Sequence, residues 1–163
     1  MGKTLAVAIV ALVCGLISCC GICGAIEIAL TGSWSPVIGA ADLIGGAGTD
    51  LAPIYESSAD AIAVTISSTT GSGDNWRVDV MMTDINWPAG FDLFIRRTGD
   101  GTGSGSIAGG AAYQQITDGY AALFSGAGDR LDIPLQLKLT GVSVHTPPDT
   151  YSATVTYTVV DTL

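Results

Sequence analysis

Apolar and polar residues alternate with a period of two along most of this chain. In residues 151–160, Tyr151, Ala153, Val155, Tyr157 and Val159 fall on one side of an extended backbone, with Ser152, Thr154, Thr156 and Thr158 on the other. Side chains alternate across a strand, so this run reads as a half-buried β-strand with one dry face, the pattern of an antiparallel sheet. The same period recurs upstream. It groups Ile26, Ile28 and Leu30; Ile62, Val64 and Ile66; Trp76, Val78, Val80 and Met82; Phe91, Leu93 and Ile95; and Ile133, Leu135, Leu137 and Leu139. Residues 113–117 and 120–124 are shorter candidates.

Turn chemistry separates these runs. Residues 69–75 are Thr-Thr-Gly-Ser-Gly-Asp-Asn, residues 86–90 are Asn-Trp-Pro-Ala-Gly, and residues 146–149 are Thr-Pro-Pro-Asp. Residues 37–58 read as a long connection with a helical turn near 40–44, and the glycine-rich residues 99–110 as a flexible hairpin tip. Seven or eight short strands without an amphipathic helix predict an all-β fold. The expected architecture is an antiparallel immunoglobulin-like β-sandwich over residues 26–163, preceded by an N-terminal hydrophobic signal or anchor segment.

That segment is residues 1–25. A short head, Met1-Gly2-Lys3, precedes an apolar run from Leu5 to Ile17, the build of an export signal, and Cys23-Gly24-Ala25 offers a small-x-small cleavage site. Two other fates compete with cleavage. Leu16-Ile17-Ser18-Cys19 resembles a bacterial lipobox, in which Cys19 would carry a lipid anchor. From Leu5 to Leu30 the only charge is Glu27, so a retained segment is long enough to span a bilayer or to form an assembly helix like that of type IV pilins. All three place the body outside the cell or at its surface, with a membrane partner only through this segment. All four cysteines, Cys14, Cys19, Cys20 and Cys23, lie here, so the body has no disulfide. Cysteines within an apolar run behave as small hydrophobes, so Cys20-x-x-Cys23 is not read as a metal site.

Charge narrows the partners. Fifteen acidic against six basic residues leave a formal net charge of −9, and Arg96-Arg97 is the one adjacent basic pair, which argues against nucleic acid. The aspartates sit mostly in turn-like sequence, where they cap loops and keep the surface solvated. Groups for catalysis are scarce. The chain has one histidine, His145, placed just before a Pro-Pro turn, and no Gly-x-Ser-x-Gly elbow, so no enzyme activity is expected. No cofactor or metal is expected either, a weak calcium ion near Asp100 or Asp129 being the nearest candidate. Gly103-Ser-Gly105 fits a loose dinucleotide fingerprint but lacks the helix that would bind phosphate. Of three tryptophans, Trp76 lies on an apolar stripe and reads as core, while Trp87, beside Pro88 in a turn, is the candidate exposed aromatic for a glycan platform.

Residues 148–159, Pro-Asp-Thr-Tyr-Ser-Ala-Thr-Val-Thr-Tyr-Thr-Val, resemble the closing strand of fimbrial and spore-coat-protein-U-like subunits, and also that of cell-wall WxL domains. The resemblance implies a surface structural subunit of an extracellular filament, pilus or coat that self-associates into a homopolymer. In such an assembly an N-terminal strand of one copy adds to a sheet edge of the next, and Ile26, Ile28 and Leu30 are the candidate donor residues. A secreted or lipid-anchored sandwich that binds a glycan or protein, and a pilin-like subunit with a retained helix, remain the alternatives.

Overall fold

The computed structural model describes the backbone of residues 5–13, 25–84 and 86–162, and the side chains of residues 25–83 and 86–162. Thirteen strands form two sheets among the described residues. The first sheet runs in the order β3 (Val37–Ile38), β1 (Leu5–Val13), β13 (Thr150–Asp161), β6 (Asn75–Asp84), β11 (Ala121–Ala127), β9 (Ile107–Gly109). The second runs β10 (Gln114–Gln115), β7 (Asp92–Arg97), β12 (Arg130–Thr140), β5 (Ile62–Ser67), β2 (Glu27–Gly32), with β4 (Ile54–Glu56) and β8 (Thr102–Gly103) also bonded to β12. Neighbours are antiparallel except β1 and β13, which run parallel.

The alternating residues meet between the sheets. From the second sheet come Ile62, Val64, Ile66, Leu93, Ile95, Ile133, Leu135, Leu137 and Leu139, and from the first come Trp76, Val78, Val80, Val155 and Tyr157. Their alternation is therefore the division between one shared core and two outer faces. Trp76 is fully buried, its indole N–H donating to Gly128 O at 2.8 Å and its ring meeting Phe124 edge-on at 6.2 Å.

Two bulges interrupt the ladders in stretches where the sequence shows no regular period. In β11 the register with β6 shifts between Ala122 and Phe124, so adjacent residues Leu123 and Phe124 are both buried. In β12 the register with β5 shifts between Arg130 and Ile133, and Asp132 takes a φ of 53°. Pro134, which has no N–H to give a ladder, sits just past that shift.

Several expectations are corrected. Residues 37–58 carry two short strands, β3 and β4, where a plain connection is expected, while the expected helical turn near 40–44 is present as a 3-10 turn at Ala40–Asp42. Residues 99–110 are no loose tip, because they contain β8 and β9 and lie flat against the β11–β12 corner. A Cβ at Gly101, Gly103 or Gly105 would run into the carbonyls of Leu131, Asp129 and Ala127 respectively, so these glycines permit close backbone approach. The strand count exceeds seven or eight because β3, β4, β8, β9 and β10 are only two or three residues long, too short to show a period. Val159 is half-buried where the alternation had it inward.

Tyr157 is fully buried and its hydroxyl has no hydrogen-bond partner among the described residues. Burial pushes its phenol well above the ordinary range. The unfolded phenol ionises near pH ~10, so stability present below that pH is lost as pH rises through it. Tyr157→Phe is expected to leave stability at pH 8 unchanged or raise it by about 1 kcal/mol, and to reduce the fall between pH 9 and pH 11. Urea unfolding at these pH values checks it; a loss at pH 8 would show that the hydroxyl is bonded.

Candidate assembly surface

A sheet edge offers unpaired N–H and C=O groups that can bond a further strand, so an assembly surface is carried by the edges. β3, β9 and β10 end three of the four sheet edges with two or three residues each. The fourth is β2, six residues long, with Glu27, Ala29 and Thr31 exposed.

β13 is a different case. One side pairs with β6 over nine positions, from Ala153 opposite Asp84 to Asp161 opposite Trp76. The other side is taken by β1, in a parallel register running from Ala6 opposite Thr150 to Val13 opposite Tyr157. Positions 7, 9, 11 and 13 thereby stand opposite Tyr151, Ala153, Val155 and Tyr157, whose exposures are 8, 1, 0 and 0%. Beyond β1 lies only β3, bonded to it at Leu5 and Ala6. The apolar N-terminal run is thus a nine-residue strand that closes the outer side of β13, and a strand is what it forms where a pilin-like reading called for a helix. β2 lies against both β1 and β13, so the free edge of the second sheet and the β1–β13 seam share one rim.

The residues singled out from sequence divide as follows. Cys19, with Cys14, Cys20 and Cys23, lies outside the described residues. Ile26, Ile28 and Leu30 do not project as a free donor: Ile28 is buried opposite Ile66, Leu30 pairs with Val64, and Ile26 packs half-buried on the core, all within the chain's own second sheet. Trp87 is corrected from exposed to half-buried. Its indole N–H donates to Phe91 O at 3.0 Å, and its ring meets Phe91 edge-on at 5.5 Å, which in turn meets Tyr151 at 5.5 Å.

His145 is exposed. Asp129 accepts from the N–H and hydroxyl of Thr69, bonds that hold its carboxyl below the ordinary range, while Asp100 is bound by the Arg97 guanidinium. Among the described residues no group of three or more His, Cys, Asp or Glu is placed to hold a metal ion.

Sequence reading missed a cluster on the outer face of the second sheet. Gln136 stands opposite Arg96, and Lys138 stands between Phe94 on β7 and Glu56 on β4. The Arg96 guanidinium lies 4.6 Å from the Tyr113 ring centre, and the Lys138 ammonium 4.1 Å from Tyr113 and 4.6 Å from Phe94. Arg96 also donates twice to Gln136 Oε1, at 3.0 and 2.7 Å, and Gln136 Nε2 donates to Ser57 O at 2.8 Å. Burial, then the neighbouring Glu56 carboxylate, pushes the Tyr113 phenol up. The alternation marks these residues as outward, but only the cross-strand register brings them together.

A scan against protein-family models and a search of curated proteins return no match to this chain.

The cation–aromatic contacts are expected to add to stability in their own right. A double-mutant cycle of Tyr113→Leu and Lys138→Met should give a coupling of about 0.5–1 kcal/mol in urea unfolding. Additive effects would mean that Lys138 gains nothing from the ring.

Proposed function

We propose that this chain is a secreted or surface structural subunit of an extracellular filament, pilus or coat, assembled by β-strand addition between copies. The observation that carries this reading is the seam beside β13: a long, deeply embedded strand is closed on its outer side by a separable N-terminal strand, with only two residues of β3 beyond it. A sandwich built this way is complete only while that place is filled, which is the property strand addition needs.

The address comes from the apolar N-terminal run, which this reading has the mature chain keep as β1 rather than lose by cleavage, and the homopolymer from the resemblance of residues 148–159 to fimbrial and spore-coat-type closing strands. An immunoglobulin-like strand order agrees with one further detail. The Tyr151 hydroxyl donates to Pro147 O at 2.7 Å, four residues upstream at the start of the closing strand, the geometry of a tyrosine corner.

A binding module is the second reading, favoured by the outer face of Arg96, Lys138, Phe94 and Tyr113. In an acidic chain these cations would select a carboxylate-bearing glycan. Acidic-glycan binding that is lost on Lys138→Ala would support it.

The subunit reading is tested by concentrating the purified full chain and following it by sedimentation and negative-stain electron microscopy. Regular filaments or sheets that dissociate in denaturant are expected. A protein that sediments as a monomer at every concentration overturns the proposal.

A further inference from the structure

We infer that the strand passed between copies is Leu5–Val13, seated beside β13 of a second copy of this chain in the place that the chain's own β1 takes here. This rests on the strand-addition reading above and replaces its first candidate donor, Ile26, Ile28 and Leu30.

Fit is the first argument. β1 meets β13 at eight consecutive positions, with 7, 9, 11 and 13 opposite the core-facing Tyr151, Ala153, Val155 and Tyr157. The same strand from another copy would keep the register and every backbone bond, so exchange changes only which chain owns the strand. β2 lacks that advantage. It pairs with β5 at six positions, and only residues 33–36 join it to β3, too short a link to seat it on a second copy while β3 keeps its place. Exchange of β1 leaves nothing open.

Reach is the second. Residues 14–26 separate β1 from β2. Fully extended they span roughly 40 Å, enough to seat β1 on an abutting copy. A tether of that length also holds β1 near its own slot at an effective concentration of order millimolar. Dilute protein therefore closes on itself, and crowded protein, on a surface or at a fibre end, exchanges. Each copy then gives one strand to one neighbour and accepts one from another, which makes the contact heterologous and propagates it head to tail, whereas a reciprocal exchange would stop at a dimer.

The test uses the full chain with Cys14, Cys19, Cys20 and Cys23 changed to serine and the facing pair Val10→Cys and Thr154→Cys introduced. After oxidation at increasing protein concentration, non-reducing electrophoresis is expected to pass from a monomer band to a ladder. Either cysteine alone should give no species beyond dimer.

Filaments whose 10–154 disulfides stay within one chain, or whose subunits begin at Ile26, overturn the inference and leave strand addition standing with another donor. A monomer band throughout, without filaments, overturns both. A second arm keeps the native sequence and adds a lysine-flanked peptide of residues 5–13 in excess. Shortened filaments are expected, and unchanged length counts against exchange.

Discussion

Backbone N–H and C=O groups next to an apolar core must be paired, and along β13 that requirement decides the rest of the architecture. β13, twelve residues long, carries Val155 and Tyr157 into the dry interior, so a bare outer edge would leave a long row of backbone groups unpaired beside the core. β3 cannot cover that edge, since it has two residues and touches only the start of β1. The apolar N-terminal run can. A segment with the composition of an address signal is thereby also the strand that completes a hydrogen-bonded layer.

Both ends of β13 are fastened. At its start, Tyr151 is held by its bond to Pro147 and by the edge-on stack through Phe91 to Trp87. At its end, Asp161 faces Trp76, whose indole is tied to Gly128. Gly126 belongs to the same arrangement: a Cβ there would meet the Trp76 ring and Ser106 O, so the glycine makes room for the tryptophan and for β9. With both ends fixed and one side bonded to β6, the outer side is where β13 can change partner without the sandwich coming apart.

Much of this was legible in the chain. Of the seven longer strands after the N-terminal run, all but the bulged β11 show their period in sequence because each has one face in the core, and Trp76 declared itself by sharing a stripe with Val78 and Val80. Three kinds of feature were not legible. Strands of two or three residues, such as β3 and β8, are defined by what they bond to and have no period. The glycines of residues 99–110 look like a loose tip when the backbone they approach, at Ala127, Asp129 and Leu131, is unknown.

The third is partnership. Ile26, Ile28 and Leu30 have the alternation of a donor strand, but alternation cannot say which sheet receives it, and here β5 does. Residues 5–13 show the same limit from the other side, because a run of apolar residues reads as signal or anchor and carries no sign of a slot of matching register. The cluster of Arg96, Tyr113 and Lys138 was hidden for the same reason, being made by pairing across β7, β10 and β12.

The charge balance bears on when such a seam could be used. A chain with a net charge of −9 repels its copies at long range, and that repulsion weakens as salt shortens the screening length toward ~8 Å at physiological ionic strength. Strand bonding acts only at contact and is indifferent to net charge. The acidic surface therefore opposes association most at low ionic strength and less as salt screens it. Arg96 and Lys138 lie on the outer face of the second sheet, away from the β13 seam. Short edges at β3, β9 and β10, together with Glu27 on β2, leave few other places for indiscriminate pairing. Specific growth through one seam is what this distribution of edges and charge favours.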